Sequence, residues 1–211
     1  DIAALLDAVD AIGKVKDAKK NVSDEDLNDK IDLLLADPGD SSNAMALEGT
    51  IEQGADAGKV GEAMTLAADG VDAGESEGEK IKSTEVKKQL LFRAARIFET
   101  HAKDLEKAES VYLMILGLDP EDEVALTGLE DARRVLGKHE ELVEMLLERS
   151  QKHESHTERA RALNQIGHLY GKELDDREQA AFAFAQALAQ DTQHDEYAAD
   201  LERTAGSDMK L

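Results

Sequence analysis

The sequence predicts an all-α chain, an α-solenoid of antiparallel helix hairpins, and three observations carry that prediction. Apolar residues recur at steps of three and four along most of the chain, which is the spacing of one helix face. The apolar content, 41% of residues, is mostly Ala and Leu, both strong helix formers, while aromatics stand at 3%, too few for strand-rich packing. Third, the two prolines, Pro38 and Pro120, each follow an Asp that closes an apolar run, in "IDLLLADPGD" and "MILGLDPEDE". Proline cannot continue a helix, and it pushes the preceding residue out of helical dihedrals. Asp-Pro is therefore a helix stop, and its recurrence points to a repeating unit.

Taken in order, Ile2, Leu5, Leu6, Val9 and Ile12 share one face and predict a first helix. Ser23 is a good N-cap for a second, with Leu27, Ile31, Leu34 and Leu35 on its stripe and Asp37-Pro38 as terminator. A third runs from Ala44 to Ala55 with Leu47 and Ile51 inward, and a fourth from Lys59 to Val71 with Val60, Met64, Ala67 and Val71. The glycine-rich, acidic "DGVDAGESEGEKIKS" then reads as a loop or a frayed helix edge. From Glu85 onward helices are expected over 85–102, 104–117, 122–136, 139–152, 157–173, 176–190 and 194–204, the last one capping the stack. The breaks "AKD", "GKH" and "LDD" are too short for a crossover, so the helices they join must return antiparallel.

Composition shifts along the chain. Every aromatic and every arginine lies at or beyond residue 92, so the first part must pack smaller side chains. Residues 1–80 are read as degenerate hairpins and 81–211 as the better-formed array, within one continuous stack.

Charge narrows the function classes. Lys and Arg number 25 against 47 Asp and Glu, a net charge of −22, which leaves no cation surplus for displacing counterions from nucleic-acid phosphates or for anionic lipid. No apolar run approaches the roughly 20 residues that span a bilayer, so no membrane insertion is expected. Without cysteine there are no disulfides and no thiolate ligands. No basic-then-apolar leader opens the chain, and its start and end read as a piece of something longer. A cytoplasmic location is expected.

Aligning the hairpins on their breaks exposes a register. "LLFRAARIFETHAKDLEKAESVYLMILGLDPED" lines up with "ALNQIGHLYGKELDDREQAAFAFAQALAQDTQH". The second copy supplies Leu163, Ile166, Gly167 and Tyr170, then Ala180, Phe184 and Ala187; the first supplies Leu91, Ala94, Ala95 and Phe98, then Ala108, Tyr112, Ile115 and Pro120. Each carries one extra residue in the turn inside the repeat. A looser copy between them has Leu126, Leu129, Gly137, Leu142 and Leu146. The chain thus resembles the tetratricopeptide repeat family, in the style of long bacterial arrays, whose period is about 34 residues. In this sequence Ala108, Leu142 and Ala180 stand 34 and 38 apart. The resemblance implies repeats over about 85–120, 121–156 and 157–192, two weaker hairpins before them, and the capping helix 194–204 after them. In such repeats small residues permit close helix contact and rings fill the wedges between neighbours.

The resemblance also implies a non-enzymatic protein-interaction scaffold, with a concave groove lined by the first helix of each repeat. Transferred by register, the groove side chains are Gln89, Phe92 and Arg96, then Thr127, Asp131 and Arg134, then Arg161, Asn164, His168 and Lys172. Arg96, Arg134, Arg161, Asn164 and Lys172 form a cationic and amide track suited to a peptide carboxylate or backbone. The same side chains read equally as solvated or salt-bridged helix faces. The chaperone-tail clamp of some relatives is not matched, because Phe92, Arg96, Thr127 and Asp131 stand at its positions.

Other chemistry finds little support. His153 and His156 have a metal-ligand spacing but no third ligand converging on them, so no metal is expected. "GESEGEK" lacks the Gly-Lys-Ser/Thr ending of a phosphate loop, and no Gly-x-Ser-x-Gly element occurs. No catalytic residue, enzyme activity or cofactor is expected. The alternatives are a structural spacer or oligomerisation segment joined to further repeats of the same chain, and a helical accessory domain of a larger enzyme.

Overall fold

The computed structural model describes residues 22–74, 76–152 and 154–206. Among the described residues the chain is entirely helical, with no strand. The helices are α1 (Asp24–Ala36), α2 (Ser41–Glu52), α3 (Ala57–Gly70), α4 (Glu77–Ile97), α5 (Leu105–Leu118), α6 (Glu123–Leu136), α7 (His139–Lys152), α8 (His156–Lys172), α9 (Arg177–Gln190) and α10 (Asp195–Ala205). The chain forms two compact units that divide inside α6, at Ala132 and Arg133; the compositional division in the sequence lies at residues 80 and 81. The helix read over Ile2–Ile12 lies outside the described residues.

Side-chain caps set the helix starts. Ser23 caps α1, and Asp40, Asp56, Asp104, Ser155 and Asp176 cap α2, α3, α5, α8 and α9, each accepting from an orphan N–H of the first turn. Two expectations need correction on this ground. The third helix begins at Ser41 instead of Ala44, because the Asp40 carboxylate accepts from Ser42 N–H at 2.9 Å and fixes the start there. The acidic loop ends at Ser76: Glu79 Oε2 accepts from Ser76 N–H at 2.9 Å while Ser76 Oγ accepts from Glu79 N–H, a reciprocal capping box that starts α4 at Glu77. Leu35, read on the inward stripe of α1, is exposed, since Leu27 and Leu34 set the buried face two turns apart.

The two Asp-Pro stops take one backbone form, and a third turn without proline repeats it. Asp37 (φ −140°, ψ 82°), Asp119 (−143°, 93°) and Asp191 (−137°, 88°) close α1, α5 and α9. In each, the Asp N–H donates to the carbonyl four residues back, at 3.1, 2.9 and 3.1 Å. Each Asp carbonyl then accepts from the N–H three residues on, at Asp40, Asp122 and His194.

The extra residue in the turns inside the two aligned copies also has a recurring form. After α4 the backbone widens into a π-helical turn, Phe98–Ala102, and Asp104 N–H donates to Phe98 O at 2.9 Å. After α8, Asp176 N–H donates to Tyr170 O at 2.8 Å. Both turns place a non-glycine residue in the left-handed region, Lys103 (φ 58°) and Asp175 (φ 51°), immediately before the Asp that caps the next helix.

In the first unit α1 packs on α2 and α3, α3 on α2 and α4, and α4 on α5. In the second, α8 packs on α7 and α9, and α9 on α10. The α8–α9 pair is antiparallel, because residue 167 faces Phe184 while residue 171 faces Ala180. Rings sit against glycines three times: Phe98 on Gly61, Tyr112 on Gly128, and Phe184 on Gly167, where an ideal Cβ would lie 2.5 Å from the ring. Phe98, Tyr112 and Phe184 are all buried, and Tyr170 packs partly buried against the second core with Leu163, Ile166, Ala187 and Tyr197.

Candidate functional site

The ten side chains read as groove-facing divide between the two units. In the first unit, α4 presents Gln89, Phe92 and Arg96. Gln89 is exposed and donates to Glu85 Oε1 at 3.2 Å, and Phe92 is half-buried. Arg96 is exposed but not idle: its Nη2 lies 3.3 Å from Glu48 Oε1, while Arg93 Nη1 takes Oε2 of the same carboxylate at 3.0 Å. Glu48 comes from α2, so two guanidiniums of α4 share one acid on a neighbouring helix. On α6, Thr127 turns its hydroxyl to Glu123 O at 2.8 Å, and Asp131 is exposed, its charge reaching Tyr112.

In the second unit, Arg134, Arg161 and Lys172 are exposed and Asn164 and His168 are half-buried. The last two stand one turn apart on α8 and converge on Asp200 of α10. Asn164 Nδ2 donates to Asp200 Oδ2 at 3.1 Å, and His168 Nε2 lies 3.1 Å from the same oxygen. Arg203 Nη1 donates to Oδ1 at 3.0 Å. Asp200 is 3% exposed, so these donors replace nearly all of its water. The His168 ring meets Phe184 edge-on, with centroids 5.1 Å apart, and Phe184 is itself seated on Gly167. Sequence reading missed Asp200 and Glu48 because the groove-row partners Asn164, His168 and Arg96, with Arg93, lie 32–48 residues away from them in the chain. One signal was present: Asp200 falls at helical spacing from Tyr197, on the inward face of an amphipathic helix.

Three more ion pairs tie elements together inside the first unit. Lys88 Nζ lies 2.8 Å from Asp119 Oδ2 and 2.6 Å from Asp122 Oδ2, gripping both ends of the Asp-Pro turn. Hydrogen bonding to Asp119 and then Asp122 holds the Lys88 ammonium well above its usual range. Lys107 reaches Glu62 at 2.7 Å and sits 5.6 Å from the Phe98 ring centroid. An open cleft of about 450 Å³ lies where Pro38 and Gly39 meet Val71, Asp72 and the start of α4, at Glu79, Lys82, Ser83 and Val86. Its rim acids are turned to local N–H groups, Asp72 to Gly74 and Glu79 to Ser76.

Of the metal candidates, His153 lies outside the described residues, and His156 Nδ1 lies 2.9 Å from Gln190 Oε1. Among the described residues no group of three or more His, Asp and Glu side chains is placed to hold a metal ion, and no helix is long and apolar enough to cross a membrane. No protein-family model matches the chain. A search of curated proteins likewise finds no match.

Proposed function

We propose that the chain is a non-enzymatic protein-interaction scaffold, an α-solenoid of tetratricopeptide-type hairpins. In this reading the faces of α4, α6 and α8 receive an extended peptide or a protein surface. The observation that carries it is the recurrence of one construction at a fixed offset. Phe98, Asp104, Ala108, Tyr112 and Asp119 are matched 72 residues later by Tyr170, Asp176, Ala180, Phe184 and Asp191 in residue type, and the left-handed turn residue Lys103 is matched by Asp175 in backbone form alone. Stacked units of this kind present a row of first helices whose outward side chains are free to diversify, which suits recognition more than chemistry. In a chain of net charge −22, cations kept on that row stand out as recognition groups for carboxylates and backbone carbonyls.

Reversing Arg96, Arg134 and Lys172 to Glu tests the reading. Quantitative affinity capture from the source organism's extract should lose specific partners that the native chain retains, while helical circular dichroism stays unchanged. An unchanged partner set in a folded variant refutes it. One observation favours the spacer alternative: Arg96 is paired with Glu48, and Asn164 and His168 with Asp200, so part of the row is satisfied internally.

A further inference from the structure

We propose that Asn164 and His168 form a carboxylate-binding site on α8 and that Asp200 is its internal occupant, so that α10 is a displaceable plug over that site. This rests on the scaffold reading and names the chemistry that the α8 face would take from a partner: an acidic side chain on an extended segment.

Geometry supplies the first argument. Asn164 and His168 are four residues apart on one helix face, and both address a single oxygen, Asp200 Oδ2, at 3.1 Å. Two donors converging on one carboxylate oxygen, with the other oxygen left to a cation, is a complete recognition pattern. The His168 part of that pattern is held from outside α10 as well. The His168 ring is braced edge-on against Phe184, which is locked on Gly167 within the α8–α9 pair. Arg161, one turn before Asn164, and Lys172, one turn after His168, are exposed cations on the same helix. An incoming acid therefore meets a donor pair, with His168 already braced, between two positive charges. Long-range repulsion from the acidic chain falls off over about 8 Å at physiological salt, leaving the local field to decide.

Energetics supplies the second argument. Apolar residues at 164, 168 and 200 together would pack α10 about as well, since a buried ionic cluster replaced whole commonly loses nothing. What a carboxylate adds is a contact that another carboxylate can replace. The helix that carries it is short, 11 residues, below the length at which an isolated helix is stable, so its position depends on its contacts. Those contacts are its packing on α9, buried Tyr197 in the second core with its ring stacked on His194 at 3.9 Å, the Asp200 cluster, and Arg177 Nε donating to Thr204 O at 2.6 Å.

The test uses the full chain and three N-acetylated peptides as probes: Ac-Gly-Glu-Gly-NH2, the neutral Ac-Gly-Gln-Gly-NH2, and Ac-Gly-Gly-Gly with a free terminal carboxylate. The His168 imidazole and Asn164 side-chain amide resonances report binding. In the native chain the Glu peptide should produce little shift. In Asp200→Ala it should produce a saturable shift with at least tenfold tighter binding, and the Gln peptide should produce none. Asp200→Asn, which keeps the shape and removes the charge, should fall between and guards against loss of α10 folding in the alanine variant. A folded Asp200→Ala chain whose reporters ignore the Glu peptide overturns the proposal, as does an equal response to the Gln peptide. A response to the terminal-carboxylate peptide alone overturns the side-chain assignment. The outcome is independent of the scaffold test, which scores partners of Arg96, Arg134 and Lys172; loss of that result with probe binding intact would sink the scaffold reading alone.

Discussion

Replacing Gly167 by Ala sets two effects of known size against each other on one atom. In the interior of α8, Ala is favoured over Gly by about 1 kcal/mol, because the backbone loses less entropy. The added Cβ, however, would lie 2.5 Å from Phe184 Cε1, 2.6 Å from Cδ1 and 2.8 Å from Cζ. The ring has no free side to move toward: Phe184 is 3% exposed and His168 abuts it. Overpacking of this kind costs about 1–3 kcal/mol. The net expectation is destabilisation of the second unit by about 1 kcal/mol. Gly171→Ala, one turn along the same helix, is the matched control. Its Cβ would meet only Ala180 Cβ, at 3.4 Å, so it should stabilise by about 0.5–1 kcal/mol. Native-state hydrogen exchange of α8 amides reads both values within the unit concerned. In a Phe184→Leu background Gly167→Ala should become neutral or favourable, a coupling of about 1–3 kcal/mol between the two sites. Equal stabilisation by Gly167→Ala and Gly171→Ala would refute the reading that Phe184 sits too close to Gly167 to admit a Cβ.

Tyr112 gives an alkaline signature. Burial, the hydrogen bond to Glu99 at 2.9 Å, and the charges of Glu99 and Asp131 hold its hydroxyl well above the ordinary value of 10.0. The unfolded chain therefore releases this proton first. The resulting stability is present below about pH 10 and lost as pH rises above it, so urea midpoints of Tyr112→Phe should lose less between neutral and alkaline pH than those of the native chain. On the acid side, hydrogen bonding to Lys88 holds Asp119 below its ordinary 3.8. At Asp122 burial pushes upward, but Lys88 and the Ala125 and Val124 N–H groups outweigh it and leave it depressed as well. Their contribution is present above about pH 4 and lost as pH falls through the folded values, so the stability gap between the native chain and Lys88→Met should narrow in acid, and also in about 1 M salt. Thr192→Pro should raise the urea midpoint of the second unit by the equivalent of about 0.4–1 kcal/mol, because proline stands at the matching place after Asp119 and restricts the unfolded chain.

Much of the fold was legible because its punctuation is local. From α5 to α10 the helix ends fall within about two residues of those read from the sequence, since Asp104, Ser155 and Asp176 act on N–H groups two or three residues away. The start of α4 was missed although its signal was equally local. The Ser76–Glu79 capping box sits in a string of Gly and acids whose composition argues for loop, and reciprocal hydrogen bonding outweighs that composition. The extra residue in the turns was visible as a spacing anomaly, but its form was not. Lys103 takes the left-handed region between Phe98, seated on Gly61, and Asp104, which caps α5, and those contacts involve different helices. The contacts of the ten candidate side chains were not legible in the sequence. Nothing in the local spacing ties Arg96 to Glu48 or Asn164 to Asp200, because the partners stand 48 and 36 residues apart in the chain.

The three Asp turns show which residue of the Asp-Pro pair determines the backbone. Asp191 is followed by Thr192, yet its dihedrals match those of Asp119 within about 6°. What the two share is the acid: Oδ1 of Asp119 accepts from Glu121 N–H and Oδ1 of Asp191 from Gln193 N–H, both at 3.3 Å, a local bond that holds the turn with or without a ring after it. At Asp37 another residue helps, as Asn43 Nδ2 donates to Leu33 O and Asp37 O. Proline at 38 and 120 then acts mainly on the unfolded chain, by removing conformations that the turn does not use. The Asp also reaches beyond its own turn, since Lys88 of α4 binds Asp119 and Asp122 together and so fastens the closing turn of one helix pair to the helix that opened it. The turn after α9 thus lacks proline and keeps the geometry of the turn after α5, with the acid there to close the helix.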